Sequence, residues 1–152
     1  MLNNSDELVK KEYWVPKVAA IYGIPVLVMN FIVVFGYNSE FKSLHLAITV
    51  FYLLINIYCL FYSIRNKLIS ALQTGMIHWL IVVFFALIQI IGENVSRQTG
   101  ADVGFVFVIF PVYGQFLGLL HLFSLRQLNY VILGYAGFLL AGDLIGRQRI
   151  KE

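Results

Sequence analysis

Five apolar stretches alternate with short polar connections along the chain, at 18–37, 44–64, 68–92, 103–123 and 128–146. A helix rises about 1.5 Å per residue, so roughly 20 residues cross the ~30 Å hydrocarbon core of a bilayer. Each stretch is near that length. The runs are continuous rather than alternating every second residue, which predicts helices and not barrel strands. The connections "NSEFKS", "RNK", "ENVSRQTGAD" and "SLRQ" leave no room for an extramembrane domain between spans. The expected fold is therefore all-α, a single polytopic membrane bundle over 1–152 with five transmembrane helices, neighbours antiparallel. An alternative keeps four spans and makes the last segment re-entrant.

Polar residues inside these runs fall in phase. In the second segment His45, Thr49, Tyr52, Asn56, Cys59 and Ser63 recur at alternating steps of four and three, a stripe down one helical face. The third carries Thr74, His78, Gln89 and Glu93 within one sector. Hydrocarbon penalises polar side chains, so both seams are expected to turn inward and meet each other or a ligand. Asn30 in the first segment and Gln115 and His121 in the fourth extend the polar set. Small residues mark where backbones can approach closely: Gly114 and Gly118 in the fourth segment, Gly137, Ala141, Gly142 and Gly146 in the fifth. Asp143 and Arg147 stand four apart and are expected to pair on one face.

Composition sharpens the membrane reading. Hydrophobic residues make up 60% of the chain and charged residues 12%, with a mean hydropathy of +0.81, whereas a soluble domain carries about a quarter charged. The net charge of +3 is spread over short clusters between apolar runs and forms no stripe for nucleic acid. It reads instead as a topology signal. With five spans, Lys10, Lys11, Lys17, Arg65, Lys67 and Arg126 share the N-terminal side, against Lys42 and Arg97 opposite. That places the N-terminus in the cytoplasm, in a bacterial inner or plasma membrane. The tail residues Arg147, Arg149 and Lys151 then fall outside, against the same rule.

Alternating spans also sort the polar groups by depth. Asn30, His45, Glu93, Asp102 and Asp143 are expected toward the outer side, and His78 and His121 toward the cytoplasmic side, at unequal depths. An imidazole among carboxylates suits a divalent cation, and two histidines on neighbouring helices suit a haem. No metal-binding spacing supports either, and Cys59 is the single cysteine. Nucleophile elbows, phosphate loops and dinucleotide fingerprints are absent. No cofactor and no catalytic residue is expected.

The pattern thus points to a small non-catalytic membrane protein acting through helix–helix contacts. Its expected role is an accessory, assembly or immunity-like subunit, with the lipid bilayer, other membrane subunits or its own copies as partners. The alternative is a small transporter or channel with a polar intramembrane path or ligand pocket, gated by His45, Glu93 and Asp143.

Overall fold

The computed structural model describes residues 13–15, 17–19, 23–26, 28, 42–99 and 114–151. Apart from the connections at 66–68 and 122–124, all of them are helical. After a helical N-terminal segment within 13–28, the elements are α1 (Lys42–Arg65), α2 (Ile69–Thr99), the 3₁₀ helix Gly114–His121 and α3 (Leu125–Lys151). Among the described residues, α1, α2 and α3 are the helices long and apolar enough to cross a membrane. Asn30 and Asp102 lie outside the described residues.

Local chemistry sets the helix ends. At the close of α1, Lys67 N–H bonds Ile64 O at 3.2 Å and Leu68 N–H bonds Ser63 O at 2.9 Å. Lys67 adopts a left-handed φ of 57°, and Leu68 is fully buried. These features define a Schellman stop with lysine in the place glycine prefers. α3 opens with a capping box. Ser124 N–H donates to Gln127 Oε1 at 3.0 Å, and Gln127 N–H reaches back to Ser124 Oγ at 3.4 Å.

α2 runs seven residues beyond Gly92, where the apolar stretch stops, through "ENVSRQT". Propensity and side-chain pairing carry it on without hydrophobicity: Arg97 donates to Glu93 at 3.0 Å one turn away, and Thr99 Oγ1 bonds Val95 O. α3 likewise extends past Gly146 to Lys151.

Contacts between distant residues fix the directions. Asn129 meets Glu93 and Gly75 meets Asp143, so α2 and α3 are antiparallel. Tyr135 donates to Leu53 O at 2.6 Å, while Gly142 touches Leu60 and Gly146 touches Ile64. α1 and α3 are therefore parallel. Trp14 stacks near Tyr62 and Gly23 faces Tyr52, which makes the N-terminal segment antiparallel to α1. His121 against His45 and Gly118 against Thr49 show the 3₁₀ helix descending α1 toward its start.

Five spans are not confirmed among the described residues, where three helices are long and apolar enough to cross. α2 ends and α3 begins at the same end of the bundle. The 3₁₀ helix has eight residues, and at about 2.0 Å each they cover roughly 16 Å, about half of the hydrocarbon thickness. The last apolar stretch lies in α3, a continuous helix of 27 residues long and apolar enough to cross a membrane.

The core lies chiefly between α2 and α3, with the 3₁₀ helix packed on α1 and α3 at its side. Val82, Ala86, Phe116, Leu128, Ile132, Ala136 and Leu139 are all fully buried. Tyr135 stands edge-on to both Trp79 and Phe116, with ring centres 5.6 and 5.9 Å apart. The outer faces carry Phe51, Leu54, Phe61, Ile77, Leu80, Phe84, Ile91 and Phe138, all exposed. Water would not tolerate that many, and acyl chains would.

Candidate functional site: a polar-lined cavity between the helices

A cavity of about 540 Å³ opens between the N-terminal segment, α1, α2 and α3. α1 contributes Tyr52, Asn56, Cys59 and Ser63 from its polar stripe, together with Leu60. The stripe faces inward as its phase predicts: His45, Thr49, Cys59 and Ser63 are buried, Tyr52 and Asn56 half-buried. Asn56 satisfies one donor on Tyr52 O at 2.9 Å, and Ser63 Oγ donates to Cys59 O at 2.8 Å. Both side chains back-bond into their own helix, and Asn56 also meets the Tyr52 side chain.

α2 contributes Thr74, Gly75, His78 and Trp79. Its seam departs from expectation, because Thr74 and His78 are exposed at the rim while Ala71, Leu72, Trp79, Val82 and Ala86 turn inward. The bulky apolar side chains win the interior. Thr74 tolerates the rim because its hydroxyl bonds Ser70 O at 3.0 Å. His78 stands edge-on to Trp79 at 4.6 Å and meets the buried Gln115 side chain from the 3₁₀ helix. Further along α2, Gln89 is half-buried outside the cavity, with a buried Oε1 that finds no partner.

α3 contributes Asp143, 4% exposed. Its carboxylate does not pair with Arg147 four residues on, as the spacing predicted. Instead it lies across Gly75, where an added Cβ would come within 2.6 Å of Oδ2. The reason is helix phase: Asp143 falls on the face packed against α2, and Arg147, whose Nε is buried without a bond, falls beside it. Asp143 makes no ion pair or hydrogen bond to another described residue.

A second polar cluster sits at the opposite end. The rings of His45 and His121 meet through Nδ1 and Nε2 at 3.2 Å, one nitrogen donating and the other accepting. Nearby along α2, Glu93 accepts from Arg97 and, at 3.3 Å, from the fully buried Asn129. Two expectations of depth are thereby corrected. His121 lies with His45 and not with His78, and Asp143 lies with Gly75 at the far end from His45 and Glu93. The cause is that α2 ends and α3 begins at the same end of the bundle, which reverses α3 and the 3₁₀ helix relative to the expected order. Among the described residues, no three His, Cys, Asp or Glu side chains converge as metal ligands.

The small residues also sort themselves. Gly118 lets Thr49 and the His45 carbonyl approach, Gly142 receives Leu60 and Gly146 receives Ile64, whereas nothing lies within 4 Å of a Cβ at Gly137 and Ala141 is exposed. Gly114 opens the 3₁₀ helix. Gly75, Trp79 and Asn129 are site or cluster residues that sequence reasoning passed over. A glycine inside a helix costs about 1 kcal/mol against alanine and asks for a reason, and Gly75 carried that signal. Trp79 carried another, lying too deep for an interfacial aromatic.

A scan of protein-family models, a search of curated proteins and a search of solved structures return no match to this chain.

Proposed function

We propose that this protein is a small integral membrane protein that takes a small, largely apolar molecule into the cavity between its helices, as a transporter or intramembrane binding protein. The carrying observation is the cavity itself. At about 540 Å³ it falls within the ~300–1,000 Å³ range of ligand sites. Its walls are mostly apolar, with Tyr52, Asn56, Thr74, His78 and Asp143 converging as the polar minority. An accessory-subunit role would draw on the short connections and on small-residue faces, of which Gly118, Gly142 and Gly146 pack inside the bundle.

The arrangement supports four crossings rather than five: the N-terminal segment, α1, α2 and α3. Lys17, Arg65, Lys67, Arg147 and Arg149 then share one end, against Lys42, Arg97 and Arg126 at the other. The tail no longer violates the positive-inside bias, and the N- and C-terminal ends of the bundle face the cytoplasm together.

Trp79 lines the cavity and reports on its contents. Triphenylphosphine oxide, a compact neutral probe, is expected to quench the tryptophan fluorescence of the purified chain saturably, and Ala71→Phe, which fills the cavity, is expected to abolish the saturable part. Quenching that rises linearly with probe in both proteins would refute the pocket.

A further inference from the structure

The cavity holds one group that a neutral apolar ligand leaves unexplained. Asp143 is 4% exposed, lines the cavity, and has no cationic partner among the described residues. Measured along α2 from Ile69, its contact Gly75 lies about 9 Å into the helix. An isolated carboxylate at such a site stays neutral only by holding a proton or by facing a cation. The obvious intramolecular cation, Arg147, is one turn away and does not pair with it. The site is also built for close approach. Gly75 leaves the carboxylate room that any side chain would remove, and Trp79 and Tyr52 offer aromatic surface on the same walls. Aromatic faces and a carboxylate around an apolar hollow are the surroundings that attract an organic cation.

We infer that the ligand is an organic monocation with an apolar body, recognised by the Asp143 carboxylate and admitted in exchange for one proton. The inference rests on the pocket proposed above and names its ligand class. The balance is simple: the protonated carboxyl gives up its proton to solvent as the cation enters, and the O–H bond is replaced by an ion pair, so the net charge of the cavity does not change. The other titratable groups facing the cavity are Tyr52 and Cys59 on α1 and His78 on α2, while the described cavity-lining residues of the N-terminal segment, Val15, Ala19, Gly23 and Ile24, carry none. His78 is the competing proton source.

Methyltriphenylphosphonium and triphenylphosphine oxide have nearly the same shape and differ in charge, which makes them a matched pair. With the full chain in lipid nanodiscs, the cation is expected to bind with release of about one proton in weak buffer. Its affinity is expected to rise up to about tenfold per pH unit while the carboxyl is protonated. Asp143→Asn is expected to weaken the cation at least tenfold and leave the phosphine oxide within about twofold. His78→Gln should still release the proton. If the wild type binds both probes alike without proton release, or Asp143→Asn binds the cation unchanged, the inference fails while the pocket stands. Loss of proton release in His78→Gln also overturns it, and if neither probe binds the wild type, inference and pocket fail together. Should Asp143→Asn not fold, the proton count in the wild type and in His78→Gln decides.

Discussion

At the scale of single residues, glycine is where this structure is most exacting, because each glycine meets a different kind of neighbour. A Cβ at Gly118 would fall on Thr49 Oγ1 and lie 2.8 Å from the His45 carbonyl, and backbone cannot rotate away. At Gly142 it would meet the Leu60 Cδ2 methyl at 2.6 Å, the end of a flexible side chain. At Gly137 it would meet nothing within 4 Å. Gly118→Ala is therefore expected to cost about 2–3 kcal/mol and Gly142→Ala about 1 kcal/mol. Gly137→Ala should gain up to ~1 kcal/mol from helix propensity. Thermal unfolding of the three variants in one detergent checks the order, and equal effects at Gly118 and Gly137 would contradict this packing. Gly137 also shows what spacing alone misses: it and Ala141 form the same small-xxx-small step as Gly142 and Gly146, yet only the second pair is pressed against a neighbour.

The elements are held by their ends as much as by their faces. Lys67 pays the left-handed penalty of a non-glycine residue at a Schellman position. Lys67→Gly is expected to stabilise the α1–α2 turn by about 0.5–1 kcal/mol, read as a raised unfolding temperature with the fold unchanged. At the start of α3 the opposite applies. Ser124→Ala removes the hydroxyl that Gln127 N–H bonds, leaves the backbone bond from residue 124 N–H to Gln127 Oε1, and should cost about 1 kcal/mol, whereas Ser124→Asp should retain most of it. Both ends were visible in the letters, "RNK" as a break after a long apolar run and "SLRQ" as a polar link. Neither was read as a cap. The α1 stripe from His45 to Ser63 was legible because a four-three repeat is a property of one helix. The α2 seam was legible as a repeat and not as a facing, since Trp79 and Val82 outcompete Thr74 and His78 for the interior.

For the whole molecule, the decisive fact is that α2 ends where α3 begins. Four crossings put Gln98 and Arg149 on opposite sides of the membrane, and five put them on the same side. In a Cys59→Ala background, a membrane-impermeant maleimide is expected to label Gln98→Cys in intact cells and to label Arg149→Cys only after lysis. Labelling of both in intact cells would restore the five-span arrangement. The same reversal decides which polar groups are neighbours, joining His45 to His121 and Asn129 to Glu93 while sending Asp143 to the cavity with Tyr52, Asn56 and His78.

Hydropathy and phase determined, from the letters alone, that the chain is helical, carries helices long and apolar enough to cross a bilayer, and turns the α1 stripe inward. These are sums over neighbours along one helix, and transfer to hydrocarbon acts on each helix separately. The direction of α3, the placement of the 3₁₀ helix on α1, the Asp143 approach over Gly75 and the cavity itself were decided only by tertiary structure. Each depends on which residue far along the chain fits against which, and close packing between helices answers to shape and depth, quantities that no local pattern carries.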